Sequence, residues 1–321
     1  MGKPKVIAYH DLPDLAVEKL KEHVDLVHFK DLGQEYEVFL KELQDCKGLI
    51  GMGLPITSEL LEQARNLQIV SNISVGYDNF DLEEMNKHHV MGTNTPDVLT
   101  DTTADAMMAL LLAAARRITE LDRFVKNKKW MEMVGMEQYG VDVHHKKLGI
   151  IGMGRIGAAV AKRAHFGFDM EILYHNRTRR DNEFDATYCS LDELLTEADY
   201  VLLMAPANKN NPPIMGEEQF SLMKESAIFI NGSRGENVEE KALIKALKEG
   251  EIYAAALDVF EKEPIQTDNE LLQLENVITV PHIGSATFET RMKMFELAMM
   301  NLVQGLNDEA PVNLVNKETV R

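Results

Sequence analysis

The chain has 321 residues, a length that suggests two domains, and 45% of them are hydrophobic, enough for ordinary cores. Its 34 basic against 52 acidic residues, a formal charge of −18, argue against general nucleic-acid binding. Two isolated cysteines, Cys46 and Cys189, with no CxxC or Cys/His cluster, argue against a disulfide framework or a zinc site and point to a reducing cytoplasm.

The opening MGKPKVIAYHD holds no apolar stretch of signal-peptide length. Strand-like runs follow at 5–10, 24–29, 48–52, 67–74 and 90–93, with helical patterns at 13–23 and 35–44 between the first of them. The run TADAMMALLLAAARRI (103–118) is apolar nearly all round. It contains Asp105 and falls short of the ~20 apolar residues of a membrane span. It therefore reads as a helix buried in a domain core or a subunit interface. Further strand runs lie at 147–154, 170–175, 200–205, 227–233, 253–259 and 277–283, a helical pattern at 239–250, and a last helix at 288–306 with no strand after it.

This alternation predicts an α/β protein with parallel sheets covered by helices. About eleven strands are too many for one compact sheet, so two Rossmann-like doubly wound domains are expected. Residues 97–286 read as one domain inserted into another made of 1–96 and 287–321. The chain would cross between them at Thr95 and Pro96 and again around 286–288.

Gly152, Gly154 and Gly157 form GMGRIG between a strand-like LGII and a helix-like RIGAAVAKRA. That setting suits a dinucleotide. The first glycine makes the turn, the second admits a pyrophosphate, and the third lets helix and strand pack closely. The helix N-terminus then offers its amides to the phosphates. The next strand ends about twenty residues on, where an Asp or Glu would take the ribose 2′-OH of NAD. Here Asn176, Arg177, Thr178 and Arg179 stand there, followed by Arg180. Arginine forks onto a phosphate whereas a carboxylate repels it, so the expected cofactor is NADPH/NADP+, with NADH weaker. Asn176 and Thr178 would add neutral hydrogen bonds. The bland alternative is a solvated basic turn.

Three later segments each end a strand: NGSRGENV (231–238), LDVFEKEP (257–264) and PHIGSAT (281–287). Ligands gather at the carboxyl ends of strands in open α/β sheets, so Arg234, Glu263 and His282 are expected at the edge that carries the glycine loop. A ketone receiving hydride needs a proton, which a protonated histidine can give. A carboxylate beside that histidine would raise its pKa and fix its ring. An arginine can hold a substrate carboxylate and polarise the adjacent ketone. Taken singly, His282 could cap a loop, Glu263 could be a surface acid, and Arg234 could pair with Glu236. The paired histidines His88 and His89, and His144 and His145, point apart on any regular element, and no metal is expected.

SVGYDNFD (74–81), GIIGMGRIG (149–157), NGSRG, LDVFEKEP and PHIGSAT together resemble the D-isomer-specific 2-hydroxyacid dehydrogenases over essentially the whole chain. The resemblance implies a nucleotide-binding domain inserted into a split, flavodoxin-like substrate domain, with the site in a cleft that closes about the two crossings. It implies that Arg234 binds the 2-oxo acid, that Glu263 partners the histidine, and that His282 is the general acid/base. Val75 and Gly76 would hold the substrate carboxylate by their amides, and Leu54 and Phe288 would wall the pocket. Thr103, Arg155, Ile156, Ala205, Pro206, Gly232, Ser233, Asp258, Gly284 and Ser285, with His282, lie where the family contacts cofactor.

Within the family the chain looks most like the glyoxylate/hydroxypyruvate reductases and the 2-ketogluconate reductases. That implies an NADPH-dependent enzyme and a homodimer joined through the nucleotide-binding domain, which the apolar helix at 103–118 would favour. The chain departs from the pattern at Asn208, where a threonine is usual, and at Glu137, where mammalian-type hydroxypyruvate reductases put a tryptophan in the neighbouring subunit's pocket. Two rival readings share the fold: a nucleotide-sensing, corepressor-like binding protein, and a formate or phosphite dehydrogenase.

Overall fold

The structure, a computed structural model, describes residues 2–180, 185–207 and 212–319. Asn208 lies outside the described residues. The chain divides into two compact units, Met1–Leu99 with Thr287–Arg321, and Thr100–Ala286. The first crossing thus falls between Leu99 and Thr100, a few residues beyond Thr95 and Pro96, and the second between Ala286 and Thr287.

The first unit is built on β1 (Lys5–Ala8), β2 (Asp25–His28), β3 (Gly48–Gly51), β4 (Ile69–Asn72) and β5 (Met91–Thr93), with α1 (Asp14–His23), α2 (Leu32–Leu43), α3 (Ser58–Gln63) and α4 (Leu82–Lys87) between them. The strands form one parallel sheet in the order β2-β1-β3-β4-β5. Every residue of β3 and β4 is buried, as strands covered on both faces must be. Short polar side chains start the helices: Asp31, Thr57 and Asp81 each accept an amide of the first turn of α2, α3 and α4.

The second unit opens with α5 (Thr100–Ala115) and α6 (Ile118–Lys126). Its sheet contains β6 (Lys147–Ile151), β7 (Glu171–His175), β8 (Thr187–Tyr188), β9 (Tyr200–Leu203), β10 (Ile228–Asn231), β11 (Ala254–Leu257) and β12 (Val277–Thr279). Helices α7 (Arg155–Phe168), α8 (Leu191–Glu197), α9 (Glu217–Leu222) and α10 (Glu240–Glu249) link them. All seven strands are parallel, in the order β12-β11-β10-β9-β6-β7-β8. The order reverses beside β6, so the loop after β6 opens at the topological switch point where such sheets take their ligands.

Two details differ from the sequence reading. The edge strand β8 was not expected, because its two residues are exposed and carry no apolar pattern; its register, Leu173↔Thr187 and Tyr174↔Tyr188, comes from β7. The apolar helix ends at Ala115 rather than 118, because Arg117 takes a left-handed φ of 53° and starts α6. Helix α5 spends its apolar surface within its own unit, packed on α7 and the sheet, with Met107, Leu111 and Ala115 in the core. Among the described residues no helix is long and apolar enough to cross a membrane.

The chain returns to the first unit in α11 (Phe288–Leu306), capped by Thr287. It lays Met294, Phe295, Ala298 and Leu302 on the sheet, and the buried Ser71 hydroxyl donates to the Ala298 carbonyl at 2.8 Å.

Candidate active site

Each glycine of GMGRIG answers a different geometric demand. Gly152 has φ +93°, and a Cβ there would stand 2.5 Å from the Ala205 amide nitrogen, so both conformation and crowding exclude a side chain. A Cβ on Gly157 would press the Gly152 carbonyl at 3.0 Å, which is the close approach of α7 to β6. A Cβ on Gly154 would meet nothing within 4 Å. The space over that backbone is open, and α7 begins there with no side-chain cap and no acidic residue in its first turn. An uncapped helix N-terminus under open space fits a pyrophosphate. Arg155 and Ile156 supply the first residues of this helix.

The turn after β7 carries Arg177, Thr178, Arg179 and Arg180, all exposed. No described residue pairs with the guanidinium of Arg177 or Arg179. The side chain of Asn176 already has partners: its oxygen accepts from the Met153 amide at 2.7 Å, and its nitrogen donates to the Met153 carbonyl at 3.2 Å. Its amide group is therefore engaged with the glycine loop.

Three loops at the carboxyl edge of the same sheet bring Arg234, Glu263 and His282 together. Nδ1 of His282 lies 2.8 Å from Oε2 of Glu263. Oε1 of Glu263 accepts from the Phe260 amide at 3.1 Å, so both carboxylate oxygens are fixed. Burial pushes the Glu263 carboxyl up, but the hydrogen bond and charge of His282, the Phe260 amide and the Arg234 charge outweigh it, and the group is held below the ordinary carboxyl value. Gly235 lets the arginine loop approach: a Cβ there would fall 1.8 Å from the Phe260 carbonyl carbon, beside the loop that carries Glu263.

His282 itself has φ +51°, a conformation that costs a non-glycine residue about 1–3 kcal/mol and persists only where its surroundings impose it. Asp258 imposes it. Its carbonyl accepts from the His282 amide at 3.0 Å, and its two carboxylate oxygens accept from the Ile283 and Gly284 amides at 2.6 and 2.9 Å. Asp258 is buried, which raises its carboxyl pKa against the pull of those amides and of His282. Gly284 sits against Asp258 and Thr103, since a Cβ would meet them at 3.0 and 3.1 Å. Ser285 follows, half-buried. Gly232 packs on Met107, and Ala205 and Pro206 follow β9.

Sequence reasoning missed the residues that hold the Arg234 loop. The Asn231 side chain accepts from the amide and hydroxyl of Ser233 at 3.0 and 2.8 Å and donates to the Arg234 carbonyl at 3.1 Å. Asn237 donates to the Ala205 carbonyl at 2.8 Å and to the Ser233 hydroxyl at 3.1 Å. Both asparagines are almost fully buried, and a polar Asn231 ending the apolar strand β10 was the one available signal.

In the first unit, the loop after β4 turns its carbonyls inward. The Ser74 carbonyl takes the Thr95 amide at 2.8 Å, that of Val75 takes the Asn94 side chain at 2.7 Å, and that of Gly76 takes the Ser74 hydroxyl at 2.6 Å. No described residue accepts from the amides of Val75 or Gly76. Such a row of amides suits an anion. Leu54 is half-buried against the core of this unit, and Phe288 is exposed at the start of α11. Among the described residues no group of three His, Cys, Asp or Glu could hold a metal ion.

Known proteins are similar to this chain in sequence and fold. A family model for the D-isomer specific 2-hydroxyacid dehydrogenase, NAD binding domain, matches residues 108–284. A glyoxylate/hydroxypyruvate reductase B of Escherichia fergusonii is 47% identical, over 99% of this chain and 100% of its own. A protein of Thermus thermophilus superposes with a TM-score of 0.90 at 37% identity, covering 97% of this chain and 99% of its own. An NADPH-dependent glyoxylate/hydroxypyruvate reductase of Sinorhizobium meliloti, solved with NADP and malonate, gives a TM-score of 0.90 at 28% identity, covering 100% and 99%.

Proposed function

The chain belongs to the D-isomer specific 2-hydroxyacid dehydrogenases, and from that premise we propose that it reduces glyoxylate or hydroxypyruvate, and by extension 2-ketogluconate, to the D-2-hydroxy acid with NADPH. The observation that carries this reading is the His282–Glu263 pair at 2.8 Å, joined by Arg234 on the sheet edge that also bears GMGRIG. The names of the similar reductases from Escherichia fergusonii and Sinorhizobium meliloti support the same substrate class.

The chemistry that a bound reduced nicotinamide supplies here is a hydride for the ketone carbon. This chain's residues do the rest. Glu263 occupies Nδ1 of His282, so the proton given to the developing alkoxide leaves from Nε2. Arg234, held by Asn231, polarises the keto oxygen and binds the neighbouring carboxylate. By the family resemblance, the amides of Val75 and Gly76 in the first unit are the proposed carboxylate-binding groups. The exposed Arg177 and Arg179 take the 2′-phosphate, which is the basis for preferring NADPH over NADH. A second copy of the chain is the proposed partner, through the apolar side chains of Trp130, Met131, Met133 and Met136, which stand exposed after α6.

The test is loss of the NADPH absorbance band on adding glyoxylate, hydroxypyruvate or 2-ketogluconate, repeated with NADH. Consumption of NADPH by one of these acids supports the proposal. No consumption with any 2-oxo acid would overturn it in favour of a binding protein.

A further inference from the structure

Strands β6 and β7 pair in parallel up to Ile151↔His175, and the Gly152 amide closes that ladder on the His175 carbonyl at 2.9 Å. Beyond this rung backbone pairing stops, because Gly152 turns the chain away at φ +93°. The side chain of Asn176 replaces the missing rung. Its primary amide carries one carbonyl oxygen and one NH2 on a short stem, so it can meet a peptide group as another peptide would. It does so at Met153, accepting from the amide at 2.7 Å and donating to the carbonyl at 3.2 Å. The backbone of Asn176 is pinned as well, since its carbonyl accepts from the Tyr188 hydroxyl at 3.1 Å. Tyr188 in turn packs on Tyr174 with ring centroids 5.4 Å apart.

Met153 is the second residue of GMGRIG, and Asn176 immediately precedes Arg177. One side chain thus ties the loop proposed for the pyrophosphate to the turn proposed for the 2′-phosphate. We infer that Asn176 is a positioning residue, which sets the spacing of those two anion sites through Met153 and does not itself contact the coenzyme. An aspartate here could accept from the Met153 amide but would set a carboxylate oxygen against the Met153 carbonyl. A serine is too short to span both groups. Preorganising the two sites spares the ordering that binding would otherwise impose on loop and turn. The glycine loop holds the part common to NADPH and NADH, so both feel its loss, and NADPH, which also uses the turn, feels it at least as strongly.

The inference rests on the coenzyme reading above, and the experiment separates the two. Asn176→Ala and Asn176→Ser are made in the full-length chain, with Arg177→Ala/Arg179→Ala beside them. Dissociation constants for NADPH and NADH are read from nicotinamide fluorescence, and thermal melts of the unliganded proteins are recorded. Both Asn176 variants should weaken NADH, and NADPH at least as much, on the order of 10-fold for two lost hydrogen bonds. Serine keeps a hydroxyl that could serve a phosphate but cannot span the Met153 amide and carbonyl, so under the inference it should rescue nothing. A loss confined to NADPH in Asn176→Ala, restored by Asn176→Ser, would show direct contact with the phosphate and overturn the inference. So would unchanged affinity for both coenzymes, whatever the melts show. If Asn176→Ala fails to fold, Asn176→Ser decides alone by the same comparison. If the arginine variant loses both coenzymes equally, the reading of the turn fails instead.

Discussion

The imidazole of His282 and the carboxylate of Glu263 meet at 2.8 Å across two loops that leave adjacent strands. The Phe260 amide anchors the far oxygen of that carboxylate, and Asp258 anchors the backbone of the histidine. Ring and acid are each held from behind, which leaves Nε2 as the one ring atom for proton transfer.

Replacing His282 with alanine should lower reductase turnover by roughly 10²–10⁴-fold, the usual worth of a general acid. NADPH affinity should stay near that of the parent. Steady-state rates and a coenzyme titration check both, and near-normal turnover would remove His282 from the chemistry.

Glu263 makes stability depend on pH. Its carboxyl lies below the ordinary value of 4.5 in the fold, so its contribution is present above that value and is lost as pH falls through the lowered one. The pair is partly exposed, so the effect is modest. Glu263→Gln should melt below the parent at neutral pH, and the gap should close as the medium is acidified past 4.5. A gap that persists unchanged in acid would mean that the lost stability is not ionic.

The paired change Arg177→Ala/Arg179→Ala should lower kcat/KM with NADPH by roughly 10-fold or more, since a hydrogen bond to a charged group contributes about 1.5–3 kcal/mol. With NADH the same variant should lose little. The ratio of the two kcat/KM values is the readout, and an unchanged ratio would acquit the turn of phosphate recognition.

Two glycines of one loop should respond in opposite ways. Gly152→Ala places a methyl 2.5 Å from the Ala205 nitrogen at a left-handed φ, and should cost about 1–3 kcal/mol or more of stability. Gly154→Ala meets nothing within 4 Å and should melt like the parent while binding coenzyme more weakly. Thermal melts with coenzyme titrations distinguish them, and equal destabilisation would contradict the open space above Gly154.

What the amino-acid order determined by itself is local. Strand and helix periodicity, the turn chemistry of GMGRIG, and the habit of placing polar residues just after apolar strands are all written over short windows. Those windows revealed the parallel α/β architecture and pointed to Arg234, Glu263 and His282. The tertiary structure alone decided which partner each side chain takes. Asn176 reads in sequence as a donor to phosphate, yet its partner Met153 becomes a neighbour only when β6 pairs with β7. Asp258 reads as a cofactor contact, and the pairing of β11 with β12 turns its carboxylate to the amides of Ile283 and Gly284. The edge strand β8 exists because β7 lends it a register. Propensity acts between neighbours along the chain, whereas hydrogen-bond satisfaction in a buried site acts between segments that meet only after the sheet has chosen its order.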